Sequence, residues 1–300
     1  MKNLFSKLVL FIIAFFIYNI SFAQHAKKSN DTVSHKEHRK EVKAERKAAL
    51  KESHKRFVFM GTSVFADLRT DMTFGIPYTD GLLTANLSLE DNFGLADHKT
   101  FFTGSFLYFI TPRSGLYVNY YGIDRQNSHT TLKEHIFLGH TIPAGSDITA
   151  YFNTHVFSFG YLLTIMRDSR VFFGAYFNIF FMDLQTGVYT GSNRIDEKVE
   201  FLLPLPNFGL IANFEILPWL YFDASMGFFA LNLENNYFEG SVYNLHGALV
   251  FKPLHWFGVS LSYEMFNVDV SDRYDIGNTY IPYSVKYHFS GPAAGLSFNF

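Results

Sequence analysis

From Phe57 to Phe300, apolar and polar residues alternate with a period of two, the period of a β-strand whose two faces meet different surroundings. "FGVSLSYEMFNV" places Val259, Leu261, Tyr263 and Met265 on one face and Ser260, Ser262 and Glu264 on the other. "EGSVYNLHGALVF" sets Tyr243, Leu245, Leu249 and Phe251 against Asn244 and His246. "LYFDASMGFFAL" sets Phe222, Ala224, Met226 and Phe228 against Asp223 and Ser225. "PNFGLIANFEI" sets Phe208, Leu210, Ala212, Phe214 and Ile216 against Asn207, Asn213 and Glu215. Each run is long enough to cross hydrocarbon as a tilted strand, which takes about 9–11 residues.

Strands are predicted to begin near Phe57, Thr100, Leu116, Ala150, Val171, Leu205, Leu220, Ser241, Gly258 and Ile281. Four connections are short and turn-like: "TPRSG", "MRDSR", "LPW" and "KPLHW". Between them lie long polar stretches such as "IDRQNSHTTLKEHIFLGHTIPAGSD" and "GVYTGSNRIDEKVE". Regular alternation of short turn and long loop predicts about ten strands with both ends on one side, the parity of bacterial barrels. Thr73 to Lys99 reads as the first long loop, although Leu83 to Leu89 alternates well enough to be another strand. Counts of eight or twelve therefore stay open.

Hydrophobic residues make up 48% of the chain, yet mean hydropathy is only +0.04, because they are dispersed among polar ones. After the first two dozen residues no apolar run has the roughly 20 positions a helical span needs. Cysteine is absent, which excludes disulfides, thiolate nucleophiles and Cys-based zinc sites. A soluble sandwich would carry charges on the outward strand positions. Here the polar face is mostly Ser, Asn and Gly, with charges gathered in loops and turns. That distribution suits a lipid-facing exterior, and a sheet in lipid must close because an open edge leaves backbone groups unpaired.

The N-terminus adds export and a charge split. Lys2 and Lys7 precede the apolar run Leu8 to Tyr18, and Ser21-Phe22-Ala23 supplies small residues at the −3 and −1 positions. This predicts a signal peptide over 1–23 cleaved between Ala23 and Gln24. Residues 24–56 form a basic arm with 11 Lys/Arg against 5 Asp/Glu, whereas 57–300 hold 12 against 22. Arg39, Lys43, Lys47, Lys51 and Lys55 recur at i, i+4, making a solvated helical or disordered spacer the expectation, with contact to anionic headgroups the alternative. An acidic, exported body is no partner for nucleic acid.

With the signal peptide, the dyad strands, the turn–loop alternation and the terminal "GLSFNF" in view, the chain resembles Gram-negative outer-membrane β-barrel proteins over Phe57 to Phe300. The resemblance implies an all-β, closed antiparallel up-and-down transmembrane β-barrel in the outer membrane, preceded by a charged periplasmic arm. It implies outer-membrane lipids as surroundings. It also implies that Gly295, Leu296, Phe298 and Phe300 act as an assembly signal for the barrel insertion machinery. A monomer is expected, without cofactor.

Candidate chemistry is sparse. His288 and Ser290 share a face near the end of the last strand, but no third member of a catalytic set is identifiable. His129, His135 and His140, with Glu134, fall in one long loop at spacings that match no metal motif; no metal is expected. The inward set Glu215, Asp223, Glu264, Asn213, Asn244 and His246 is predicted to line the lumen, with Arg113, Arg170 and Lys252 as partners for its acids. Tyr117, Tyr121, Phe172 and Phe229 are also predicted inward, favouring a structural or surface-interaction barrel with a filled lumen, because a barrel this small has little spare room. A narrow path for a small or apolar solute is the alternative. In the last strand, even positions are apolar from Ala294 to Phe300, whereas odd ones are apolar from Ile281 to Phe289. The switch at Gly291-Pro292 predicts a bulge or the strand's exit from lipid.

Overall fold

The computed structural model describes residues 56–300 apart from 79–80, 132–133, 138–139, 169, 191–196, 233–237 and 277–278. The signal peptide, its Ala23–Gln24 junction and the arm up to Lys55 lie outside the described residues. In chain order the elements are β1 (Phe57–Tyr78), β2 (Gly81–Ser88), α1 (Leu89–Phe93), β3 (His98–Thr111), β4 (Ser114–Thr130), β5 (His135–Phe137), β6 (His140–Ile142) and β7 (Asp147–Arg167). They continue with β8 (Val171–Thr190), β9 (Glu197–Leu217), β10 (Leu220–Asn232), β11 (Phe238–Leu254), β12 (Phe257–Ile276) and β13 (Thr279–Asn299).

Ten strands form one antiparallel wall in the order β1-β3-β4-β7-β8-β9-β10-β11-β12-β13, and β13 pairs back with β1. Phe57 N–H donates to Phe300 O at 3.0 Å and Phe300 N–H to Phe57 O at 2.9 Å. The chain's last residue therefore completes the ring. The Leu83–Leu89 alternation does form a strand, β2, but it pairs only with the tip of β1 and adds nothing to the wall. The segment read as a first loop is thus the upper part of β1, then β2 and α1. The other long loops also shrink: β4 runs on to Thr130, β7 starts at Asp147, β8 reaches Thr190 and β9 begins at Glu197.

The wall changes character partway up. Outward residues at the turn end are apolar over nine residues in each of β7 (Phe157 to Ile165), β8 (Phe173 to Phe181) and β12 (Phe257 to Met265), and from Pro292 to Phe300 at the chain's end; on β1 the same stretch, Phe57 to Phe65, is apolar apart from Ser63. Nine residues at about 3.3 Å each, tilted by about 40°, climb roughly 23 Å, close to the apolar band of a transmembrane barrel. Leu261 is 69% and Phe102 76% exposed, a belt that water would penalise and hydrocarbon does not. Trp219 and Trp256 sit in turns at the lower rim, Tyr120 and Tyr263 at the upper one, the girdle positions aromatic side chains favour.

Immediately above the belt the outward side chains become polar: Asp67, Arg69 and Asp71 on β1, His155 on β7, Asp183 on β8, Asn267 and Asp269 on β12, His288 and Lys286 on β13. Inward residues change the opposite way. On β12 the inward Ser260, Ser262 and Glu264 give way to Phe266, Val268 and Val270, all three buried. The last strand does the same without a bulge. Its register to β12 is continuous, and its register to β1 is unchanged on either side of a two-pair gap opposite Gly291 and Pro292. Pro292 has no N–H to give, and a Cβ on Gly291 would lie 2.0 Å from the Phe65 carbonyl oxygen. The bulge alternative is therefore set aside, and the change of apolar parity marks the strand's exit from lipid.

Two wall strands are short: β3 with 14 residues and β10 with 13, against 17 or more in the other eight. The β3–β4 ladder ends at Thr103↔Tyr121 and the β9–β10 ladder at Phe208↔Phe228. Beyond Phe208 toward the loop end come Pro206 and Pro204, neither able to donate to a neighbour, so the pairing stops where the sequence removes its donors.

The cysteine-free chain makes the belt easy to test. A polarity-sensitive dye on Leu261→Cys is expected to be quenched by spin labels on lipid chains, and the same dye on Asp269→Cys only by aqueous quenchers. Equal responses at the two sites would contradict the assigned boundary.

Candidate functional site

All six predicted lumen residues lie on inward-facing registers of β9 to β12, in the belt half of the barrel. Asn213 donates to the Asp223 carboxylate. His246 Nδ1 lies 2.7 Å from Glu264 Oε1, which also accepts from Ser262 Oγ at 3.1 Å. Tyr221 O–H donates to Glu215 at 3.4 Å. Asn207 donates to Asn244 at 2.9 Å, and Asn244 donates to Tyr176 at 3.2 Å. This last chain needs close backbone approach: a Cβ on Gly227 would stand 2.2 Å from Asn207 Oδ1, and one on Gly209 2.2 Å from the Tyr176 ring. On the facing side, Asn119 donates to Thr103 and Ser105, both at 2.8 Å. Most of these polar groups satisfy one another, as buried polar groups tend to, but Asn207 Oδ1 and the nearby Asn178 Oδ1 have no hydrogen-bond partner among the described residues.

The acids' partners differ in part from those expected. Arg113 and Arg170 are exposed in their turns, and their side chains reach none of the three acids. Lys252 lies over the Tyr221 ring, Nζ 3.9 Å from its centroid. Neutral side chains and one histidine make the hydrogen bonds, and Lys252 acts on Asp223 and Glu215 through its charge, as expected. Arg170 meets Glu215 only through its backbone, its carbonyl accepting from Glu215 N–H at 2.8 Å.

Above the polar layer the lumen is filled by rings. Phe101, Tyr121, Phe180, Phe266 and Phe289 are all buried. Their centroids stand 5.5 Å apart for Phe101–Tyr121, 5.2 Å for Phe101–Phe289, 5.5 Å for Tyr121–Phe289, 5.2 Å for Phe180–Phe266 and 5.7 Å for Phe266–Phe289. Edge-on and stacked contacts at this spacing are favourable beyond simple burial. The layer continues upward through Phe152 and Tyr287 (6.2 Å) into an aliphatic core that includes Met72, Ile123, Ile148, Met182 and Val268. Tyr287 lies outside the lipid-facing stretch, and burial pushes its phenol up, with Arg125 pulling the other way.

Where β3 is too short to continue the wall, α1 fills the opening. Ser88 caps it, accepting from Asp91 N–H at 3.3 Å, and Gly94 ends it with φ 62°, the left-handed turn glycine adopts without strain. Leu89 and Phe93, four residues apart on one face, are buried. Glu90 accepts from Thr70 N–H at 3.0 Å and from Arg125 Nη1 at 2.5 Å. Arg125, 2% exposed, also donates to Thr70 Oγ1 at 2.5 Å and lies 5.2 Å from the Phe152 ring centre. One guanidinium on β4 therefore ties β1 and α1 across the gap. Sequence reasoning missed Arg125 because it fell in a presumed loop. Extending the inward parity of Tyr117 and Tyr121 by two steps would have reached it.

The remaining candidates stay apart. His288 and Ser290 face outward above the belt, and the His288 ring contacts the Asn267 side chain. No described hydrogen bond joins His288 to Ser290. His129 contacts Asn127 at 3.4 Å, and Glu134 is exposed. His135 and His140 lie in the small β5–β6 hairpin, their side chains outside the described residues. Among the described residues no group of three or more His, Asp and Glu side chains is placed to hold a metal.

A closed antiparallel wall with an apolar exterior band and a side-chain-filled interior defines a transmembrane β-barrel. No protein-family model matches the sequence, and no curated protein does. Solved structures to which the chain is similar include the outer-membrane protease OmpT of Escherichia coli, 7% identical over 81% of this chain and 97% of that chain, TM-score 0.46. The translocator domain of the autotransporter NalP of Neisseria meningitidis is 9% identical over 89% and 97%, TM-score 0.43. The outer membrane protein OprG of Pseudomonas aeruginosa is 12% identical over 82% and 98%, TM-score 0.34. At these values the likeness supplies no argument about residues or activity.

Replacing Arg125 by Met is expected to destabilise the barrel by about 3–5 kcal/mol, since breaking a buried ion pair strands the remaining charge. Arg125→Met with Glu90→Gln should recover part of that loss. Urea midpoints in detergent read both, and equal losses in the two variants would remove the ion pair from the explanation.

Proposed function

We propose that the protein is an exported, integral outer-membrane β-barrel that works through the wall and loops it presents beyond the lipid, not by passing solutes through its lumen. The observation that carries this reading is the aromatic layer of Phe101, Tyr121, Phe180, Phe266 and Phe289, buried and continuous with the apolar core above it. A path for water needs an unbroken line of space and polar lining, and this layer supplies neither. The signal peptide ending at Ala23, the terminal Gly295–Phe300 segment and the lipid-compatible belt support outer-membrane residence. The role is that of a monomeric structural or surface-interaction protein, non-catalytic and without cofactor.

Purified, refolded protein with heat-modifiable migration on gels is expected to give no stepwise conductance in planar bilayers. Reproducible ohmic steps would overturn the reading in favour of a narrow channel. Ser290→Ala is likewise expected to leave the acylation of outer-membrane lipids unchanged, and a shifted lipid profile would restore an enzymatic role.

A further inference from the structure

Just below the aromatic layer, a row of inward oxygens lacks partners within the protein. Asn178 on β8 and Asn207 on β9 face each other in register. They are 4% and 0% exposed, and the Oδ1 of each has no hydrogen-bond partner among the described residues. The same holds for the hydroxyls of Ser158 on β7 and Tyr121 on β4, both buried. Strands β4, β7, β8 and β9 are successive in the wall, so the four oxygens form one arc along one side of the lumen. The arc is aimed inward. A Cβ on Gly227 of β10, which would point into the lumen, would stand 2.2 Å from Asn207 Oδ1, 2.4 Å from Asn244 Oδ1 and 2.5 Å from Tyr176 Oη.

Space reaches this arc from the turn end. Tyr176 lies one inward step below Asn178 on β8, and Asn244 accepts from Asn207 at 2.9 Å; both Tyr176 and Asn244 are only half-buried. Lower still, Ser225, His246 and Glu264 form one inward row across β10, β11 and β12. The His246 and Glu264 side chains are 31% and 21% exposed although they face inward. On a strand whose outer side meets lipid, exposure of an inward side chain is exposure to the lumen. Above the arc, the buried rings of Phe101, Phe180 and Phe289 end that space. The lower lumen is thus a well, open below and blind above.

Amide oxygens only accept, so whatever meets Asn178 and Asn207 must donate. Buried oxygens are rarely left unpaired, and ordered water with two to four polar partners commonly meets them. An ion fits this arc less well. Its four ligands are neutral and lie on one side, whereas a hard cation takes about six or more oxygens. The acids lie lower, in or below the row of His246 and Glu264. We propose that Asn178, Asn207, Ser158 and Tyr121 bind a cluster of ordered water at the head of a blind well that opens at the turn end. The cluster completes the hydrogen bonding of the polar layer. Small polar solutes enter from that end only as far as the rings. The site goes beyond the surface role and rests on the same aromatic layer.

Radiolytic footprinting of the full mature chain, folded in detergent, tests the water. Bound water is converted to hydroxyl radical in the beam and oxidises the side chain beside it. Tyr176 is expected to be oxidised in the folded protein, and Phe289, within the ring layer, to stay unmodified. Asn178→Leu with Asn207→Leu, which removes both acceptors, should lower Tyr176 oxidation several-fold. Asn178→Ser with Asn207→Ser, which keeps an oxygen at each place, should retain it. Heat-modifiable migration checks that each variant is folded. Protection of Tyr176 equal to that of Phe289, or unchanged oxidation in the leucine pair, would overturn the water site. The depth of the well is read with aminoethyl methanethiosulfonate on single cysteines. Ser225→Cys is expected to react, and Thr154→Cys, beyond the rings, to stay unreacted. An unreactive Ser225→Cys removes the well alone, whereas reaction at Thr154→Cys breaches the ring layer and removes the non-conducting reading with it.

Discussion

Backbone hydrogen bonding between β1 and β13 is the constraint on which the rest of the barrel depends. In hydrocarbon there is no water to satisfy an unpaired N–H or C=O, so the wall must close or it does not belong there. The chain meets that demand with its last residue, Phe300, exchanging two hydrogen bonds with Phe57. The places where the ladder thins are handled individually. Gly291 lets the strands approach where Pro292 cannot donate, and the register resumes unchanged beyond it.

Given closure, the side chains divide two kinds of work along the same strands. In the belt half, burial of apolar surface between strands contributes little, because lipid outside is as apolar as any partner, and the inward side is free to be polar and mutually hydrogen-bonded. Above the belt, water surrounds the wall, and the stabilisation of about 25 cal/mol per Å² of buried apolar surface returns. Accordingly Val268, Val270, Val285 and Tyr287 turn inward while Asp269 and Lys286, 3.3 Å apart, face out. The surface pair adds little stability; its value here is to mark which solvent the strand is in.

Much of this is written in the sequence at short range. Period-two alternation, turn residues and the terminal aromatics located the ten strands, and three of them began where expected, at Phe57, Val171 and Leu220. The strand ends farther from the turns were misjudged because polar outward residues such as Asp183, Gln185 and Ser128 read as loop when lipid is assumed on the outside. The pattern had inverted, not ended. Long-range features were invisible for a different reason: Arg125 meets Glu90 across 35 residues of chain. No local periodicity carries that information.

The two short strands, β3 and β10, stand five places apart in either direction around a ring of ten. Their early ends therefore cut the upper wall at opposite sides, leaving β4-β7-β8-β9 as one leaf and β11-β12-β13-β1 as the other. Contacts such as Phe152–Tyr287 and Phe180–Phe266 run from leaf to leaf, as in two sheets packed about 10 Å apart. Above the lipid the molecule is thus a β-sandwich continuous with a barrel below, one set of strands folded under two solvents. Such a sandwich has no lumen to unblock. Its two outer faces are the surfaces left to meet other molecules.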